Sequence, residues 1–392
     1  MSSLISRAAA LVDLLRTVRA PWRLVPGIIL GIVRRRLVPQ GLRAGSPPLR
    51  AARILVIKLY GLGNMVLFTP ALRALRQAYP GAELTLLVDT DLALDAAAGL
   101  DLYDRSFVVP LHRFDDSLVA RFRTHCYDIV IVSYPMVEER VARFAGLLRG
   151  RYKACHAFDR CQTALFEHHP PIDLARHEVL MNLDLLGPLG IAVTEPRLWF
   201  AVDGASREYA ESVPGNVVRK QRGLNVVYAI GSSRAQQLKR WPAQRYRDVC
   251  DRLWRRYGAT SVFLGTGDEE KEIGALIATL RGPAVNLAGK TTLHQAGAVI
   301  ARAGLFIGGD TGLMHVAAAV GTPVVAIFGP TIERKNGPWC LRHRTVTAGV
   351  PCRPCYRFRI DCTHRPAYEC FSAIRADDII RVAGELIDES SR

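Results

Sequence analysis

The stretch Gly308-Gly309-Asp310-Thr311-Gly312-Leu313-Met314-His315-Val316-Ala317-Ala318-Ala319 decides how this chain is read. It follows the apolar run Ala303-Gly304-Leu305-Phe306-Ile307 and precedes a second one, Thr322-Pro323-Val324-Val325-Ala326-Ile327-Phe328. Continuous apolar runs of this length, rather than alternating ones, belong to parallel strands covered on both faces. The order is therefore strand, glycine-rich turn, short helix, strand. At the start of such a helix the backbone N–H groups lack intrahelical partners and the dipole is positive, so small residues there let an anion come close. A diphosphate suits such a position. A glycine-rich turn alone is equally explained by close packing; Asp-Thr-Gly-x-x-His is a more specific arrangement.

Working outward, the same alternation recurs. Upstream lie strand-like runs at Leu224–Ile230, Thr260–Leu264 and Val285–Leu287, separated by helical patterns. A second series starts at Arg53-Ile54-Leu55-Val56-Ile57-Lys58-Leu59. Gly61-Leu62-Gly63 then turns the chain into a helix with Leu67, Ala71, Leu72, Leu75 and Ala78 on one face, ending at Tyr79-Pro80-Gly81. Strands follow at Leu84–Val88, Phe107–Pro110, Asp128–Ser133 and Tyr152–His156. Alternating strands and helices imply parallel sheets with helices on both faces. At 392 residues two domains are expected. The reading is a basic arm over 1–50, an N-terminal Rossmann-like domain over 51–200 and a linker over 201–222, within the stretch Thr194 to Gly223 where Pro196, Gly204, Pro214 and Gly215 loosen the pattern. A C-terminal Rossmann-like domain follows over 223–370, with a closing helix over 371–392. Two doubly wound units in tandem face each other across a cleft at the carboxyl ends of their strands.

The formal charge of +16 is unevenly distributed, since residues 1–50 hold nine arginines and one acidic residue, Asp13. A uniformly basic fold would point to nucleic acid; a basic arm on a milder body points to an anionic surface. Leu4, Ile5, Ala8, Leu11, Val12, Leu15 and Val18 recur at helical spacing, flanked by Arg7, Arg16, Arg19 and Arg23. The apolar run Leu24–Val33 is ten residues long and broken by Pro26, against the ~20 needed to span a bilayer. Residues 1–36 read either as a helix lying in a membrane interface or as one packed on the protein body. A cleaved signal peptide does not fit the interspersed arginines. Of nine cysteines, Cys352, Cys355, Cys362 and Cys370 cluster near the C-terminus. In a reducing compartment such clustering has two readings, a structural zinc or reduced cysteines packed in a tight loop.

Three loops converge on the expected cleft. The first is Tyr60-Gly61-Leu62-Gly63-Asn64-Met65. The second is Gly231-Ser232-Ser233-Arg234, continuing to Leu238-Lys239-Arg240-Trp241-Pro242; the third carries Gly309, Asp310, Thr311, Gly312 and His315. Small hydroxyl residues and a lysine at a strand end suit a phosphate.

Taken together, these three elements resemble glycosyltransferase family 9, the ADP-heptose:lipopolysaccharide heptosyltransferases, over roughly residues 52–385. The resemblance implies the GT-B architecture: acceptor in the N-terminal domain, nucleotide sugar in the C-terminal one, and a last helix crossing back to the first domain. It implies an inverting sugar transfer that requires no cofactor, from ADP-heptose or a similar donor to a lipid-linked glycan. The enzyme would be peripheral on the cytoplasmic face of a bacterial inner membrane. Such chemistry needs a base at the acceptor hydroxyl and positive charge or N–H donors at the leaving diphosphate. By resemblance, Lys239, Thr311 and Gly312 serve the diphosphate, Asp310 orients that loop or meets the donor sugar, and Gly231, Ser232, Ser233, Trp241 and Gly309 complete the donor site. His315 either touches the donor or packs.

The acceptor loop departs from the family, because Asn64 occupies the position usually held by the aspartate base. Four readings are open: another base (Asp89, His112 or Asp159), proton uptake by a substrate phosphate, a different sugar, or a silent binding protein. Asn64 as a cap of the following helix is compatible with each. Arg113, Arg121, Arg140, Arg143 and Arg149 would suit an anionic acceptor or merely solvate helix surfaces. A nucleotide-sugar 2-epimerase shares the architecture but needs carboxylates that the first loop lacks.

Overall fold

The structure, a computed structural model, describes residues 50–133, 139–156, 165–213, 224–232, 234–355, 362, 364 and 366–390. The basic arm before Arg50, Ser233, Asp159 and residues 214–223 lie outside the described residues.

The first domain is a five-stranded parallel sheet in the order β3-β2-β1-β4-β5, with β1 Arg53–Ile57, β2 Glu83–Val88, β3 Arg105–Val108, β4 Tyr127–Val132 and β5 Gly150–Cys155. Ile54, Leu55, Val56 and Ile57 of the central strand are all inaccessible to solvent, as an uninterrupted apolar run predicts. Helices α1 Gly61–Ala78, α2 Asp91–Ala97, α3 Asp116–Arg123 and α4 Glu139–Leu147 cover the faces, and α5 Glu178–Asp184 packs on α1. Strand order reverses between β1 and β4, so the crevice opens beyond Ile57 and Val132.

The second domain is a six-stranded parallel sheet, β11-β10-β9-β6-β7-β8. Its strands are β6 Asn225–Ala229, β7 Thr260–Phe263, β8 Ala284–Asn286, β9 Leu305–Gly309, β10 Val324–Phe328 and β11 His343–Thr347. Here the order reverses between β6 and β9. The two loops that the sequence marked for a diphosphate are those that follow β6 and β9, so both border the switch point.

Two expectations are corrected. The stretch read as a linker contains α6, Gly204–Ser212, capped by Asp203, whose carboxylate accepts the Ser206 N–H. It docks on the second domain: Tyr209 O–H donates to Lys290 O at 2.9 Å and Arg302 pairs with Glu211 at 2.8 Å. The last helix does not cross back. After α7 Ala243–Tyr257, α8 Glu270–Ile277, α9 Leu293–Ala301, α10 Gly312–Ala319, α11 Glu333–Asn336 and α12 Glu369–Ser372, the chain closes with α13, Ala376–Ser390. Its apolar face (Ile379, Ile380, Val382, Ala383, Leu386 and Ile387) completes a core built wholly from second-domain residues. Arg342 and Arg344 of that domain hold its polar side.

Candidate active site

The acceptor-side loop begins where β1 ends. Lys58 and Leu59 continue the strand's direction, and then Tyr60 (φ 70) and Gly61 (φ 79) take successive left-handed conformations. That geometry is open to Gly61 at no cost but strains Tyr60. The strain is held from two sides. Asp89, at the end of β2, accepts the Tyr60 N–H through Oδ2 at 3.0 Å. Asn64 donates its side-chain amide to Tyr60 O at 2.7 Å. Asn64 is therefore not a helix cap; it lies within the first turn of α1 and braces the bend behind it.

Beneath this loop lies a polar network that the sequence reading did not find. Lys58 is buried, with its ammonium donating to Glu178 at 3.1 Å and to Ser133 at 3.2 Å. Ser133 in turn donates to Asn182 at 2.7 Å. The second Glu178 oxygen accepts from Asn336 at 3.2 Å, with Lys335 4.0 Å away. Burial pulls the Lys58 ammonium below its ordinary value, and Glu178 opposes that shift. Asn336 and Lys335 belong to the second domain, so this network fastens the two domains under the cleft. Beside it His177 Nε2 donates to Gly337 O (3.0 Å), and its ring lies tilted against Trp339, 4.5 Å between ring centroids.

On the donor side, β9 ends at Gly309 and Asp310-Thr311 make the turn into α10. Thr311 is the N-cap, its hydroxyl accepting the Met314 N–H at 3.4 Å. Asp310 pairs with Lys239 at 2.9 Å, both largely buried. Burial alone would raise the Asp310 carboxyl; the charge and hydrogen bond of Lys239 outweigh it and hold Asp310 below the usual carboxylate range. His315 is also buried. Desolvation pushes its imidazole down to about 4 even though Asp310 pulls upward, and its Nδ1 has no partner.

The loop after β6 differs from expectation in detail. Ser232 donates its hydroxyl to Gln236 O at 2.8 Å and accepts from Arg240 Nε at 3.2 Å, so its side chain serves the loop itself. Arg240 also donates to Ser232 O and to Glu269, at 2.6 and 3.2 Å. Trp241 is a correction: it is buried in the second-domain core, edge-on to Tyr246 at 4.9 Å, and cannot line a donor pocket from there. Pro242 occupies the N-cap position of α7. A residue that sequence reasoning missed is Glu269, after β7, whose burial raises its carboxyl against the bonds from Thr266 and Arg240. Its carboxylate lies so close to Gly231 that a Cβ there would sit 1.6 Å from Oε1. The signal available was Gly265-Thr266-Gly267-Asp268-Glu269, an acidic residue just past the second strand of a nucleotide-binding unit.

The two halves touch. A Cβ on Gly63 would lie 2.9 Å from the His315 ring, and one on Gly312 would lie 2.5 Å from Leu62. Thus the acceptor-side loop meets the start of α10 through Leu62 and Gly63 on one side and Gly312 and His315 on the other. Of the clustered cysteines, Cys352, Cys355 and Cys362 lie between β11 and α12 and Cys370 lies in α12. All four thiols are free, and burial, then the neighbouring Cys352, Cys355 and Cys362, pushes Cys370 up to about 11. Among the described residues, no three His, Cys, Asp or Glu side chains stand close enough together to hold a metal ion. Arg353, between the first two cysteines, turns instead onto Glu333 at 3.0 Å and Thr331 O at 3.3 Å. Arg143 pairs with Asp116 at 2.8 Å and Arg121 covers Phe107, surface roles both.

Residues 117–364 match glycosyltransferase family 9 (heptosyltransferase). Lipopolysaccharide heptosyltransferase 3 of Escherichia coli strain K12 is 30% identical over 348 residues, 84% of this chain and 96% of that protein. Among solved structures, a family 9 glycosyl transferase from Veillonella parvula aligns with a TM-score of 0.72 at 23% identity, covering 88% of this chain and 99% of that one. The Escherichia coli ADP-heptose lipopolysaccharide heptosyltransferase II aligns at 0.67 and 19%, covering 87% and 100%. This chain, with two parallel-sheet domains and a lysine–aspartate pair at the switch point of the second, belongs to glycosyltransferase family 9.

Proposed function

We propose that this glycosyltransferase moves a heptose or related sugar, with inversion, from a nucleoside diphosphate such as ADP-heptose to a lipid-linked glycan of the lipopolysaccharide core type. The observation that carries the reading is the Lys239–Asp310 pair beside the start of α10, facing the acceptor loop. A lysine ammonium is a point charge with three donors, and beside a helix start it suits the oxygens of a departing diphosphate. The Thr311 hydroxyl accepts from Met314 and keeps its own proton to donate. Asp310 aims Lys239 and would repel a phosphate itself. Glu269, at the end of the second strand, suits a ribose hydroxyl. His315 fills the contact between the loops and orients rather than binds the donor.

Among the described residues no helix is long and apolar enough to cross a membrane. Attachment to the cytoplasmic face of an inner membrane through residues 1–36 fits a lipid-linked acceptor and the arm's arginines. The test is incubation with labelled ADP-heptose and core-truncated lipopolysaccharide. Acceptor-dependent release of ADP is expected. Conversion of the free sugar nucleotide without acceptor would instead mark an epimerase, and binding without turnover a silent protein.

A further inference from the structure

Asn64 cannot take a proton at neutral pH, and an N–H of its side chain goes to Tyr60 O. The transfer still needs an acceptor for the hydroxyl proton. Most carboxylates around the cleft are committed. Asp310 pairs with Lys239, Glu178 with Lys58 and Asn336, and Glu269 with Arg240 and the Thr266 N–H. Asp89 is not fully committed. Its Oδ2 accepts the Tyr60 N–H, while Oδ1 is buried and has no hydrogen-bond partner, the one carboxylate oxygen of that kind among the described residues.

The position fits the chemistry. β1 and β2 run parallel with Ile57 opposite Leu87, so Asp89 emerges at the same carboxyl edge as Tyr60. One backbone unit, Tyr60, links it on its N–H side to Asp89 and on its carbonyl side to Asn64. A buried acceptor without a donor is rare in folded proteins and calls for a cause. The acceptor hydroxyl is the donor that the reaction brings.

Resting on the glycosyltransferase reading above, we infer that Asp89 supplies the carboxylate that position 64 lacks and is the general base of this enzyme. The acceptor hydroxyl oxygen attacks the anomeric carbon and forms the new C–O bond. The bond from that carbon to the diphosphate oxygen breaks, its electron pair leaving with the nucleoside diphosphate. The hydroxyl proton passes to Asp89 Oδ1, and the neutral acid returns it to solvent. Tyr60 holds the carboxylate through Oδ2, and Asn64 holds Tyr60.

The experiment moves the carboxylate. Wild-type, Asp89→Asn, Asp89→Ala and the double variant Asn64→Asp/Asp89→Asn are assayed for acceptor-dependent ADP release, with ADP affinity and thermal midpoint measured alongside. Asp89→Asn keeps an oxygen for the Tyr60 N–H and should lose about 10²–10⁴ in kcat with ADP affinity unchanged. Restoring a carboxylate at position 64 in the double variant, or adding formate to Asp89→Ala, should recover at least about tenfold of that loss. Asp89→Asn turnover within about threefold of wild type overturns the assignment, a base being worth at least about a hundredfold. A loss that neither the double variant nor formate repairs also overturns it, in favour of a purely positioning role. Asp89→Ala with and without formate serves if Asp89→Asn does not fold. If wild-type protein releases no ADP from any nucleotide sugar, the transfer reading falls and the base assignment with it.

Discussion

The donor and acceptor halves of the cleft use one local design, a strand delivering a tight turn into a helix, but they hold charge differently. At the donor turn the charges are answered side by side: Lys239 meets Asp310 at the mouth, and Arg240 meets Glu269 behind it. At the acceptor turn the site position is an amide, one carboxylate oxygen is uncommitted, and the charges lie below the loop in the Lys58–Glu178 pair. A leaving diphosphate needs fixed positive charge before it arrives, so pre-paired side chains suit the donor side. Proton abstraction needs an acceptor left open, and a fully satisfied loop would have none.

The largest effect expected from breaking this contrast lies beneath the acceptor loop. Glu178→Gln leaves the Lys58 ammonium buried against a neutral partner, and loss of one member of a buried pair costs about 3–5 kcal/mol. Because Asn336 binds the same carboxylate, the loss should loosen the seam between domains as well as the first domain. Chemical denaturation measures it, and pairing Glu178→Gln with Lys58→Met should recover most of the loss. A single variant as stable as wild type would mean that Lys58 is neutral in the fold.

Next in size is the donor side. Lys239→Ala removes the charge assigned to the departing diphosphate, and kcat for ADP release should fall about 10²–10³-fold. It also strands Asp310, so stability should fall with it. Lys239→Ala/Asp310→Asn separates the two effects: stability should return and turnover should not. Recovery of both would make the pair a structural strut.

These predictions also mark what could be read from sequence. Local features were legible. The fold followed from uninterrupted apolar runs such as Ile54–Ile57 and Val324–Phe328, which all become buried strands. Asp310-Thr311-Gly312 announced itself because a helix start is made by adjacent residues. What escaped was made by distant or exposed ones. β11, His343-Arg344-Thr345-Val346-Thr347, is an edge strand with one apolar residue inside, so no run marks it. Lys58, Glu178 and Asn336 meet across separations of 120 and 158 residues, which no periodicity reports. Trp241, which the family resemblance assigns to the donor site, turns the other way, onto Tyr246 in the second-domain core.

The smallest expected effect concerns pH and returns to the comparison. Each half buries a histidine held neutral: His315 on the donor side, down to about 4, and His156 on the acceptor side, down to about 3. Burial is the main cause in both, but Asp310 pulls His315 up while Lys58 pushes His156 further down. In the unfolded chain both titrate near 6.5, so below that pH the unfolded state binds protons that the folded state refuses. The stability they contribute is complete above pH ~6.5 and is lost as pH falls toward the folded values, at about 1.4 kcal/mol per unit for each imidazole. Between pH ~6.5 and ~5 neither is protonated in the fold, so the two should contribute equal slopes despite their opposite neighbours. Thermal midpoints across that range for His156→Gln, His315→Gln and the double variant check it: each single change should remove the same part of the slope, and the double change both parts. If only His315→Gln flattens the curve, His156 carries its proton in the fold, and Lys58 beside it cannot also be charged.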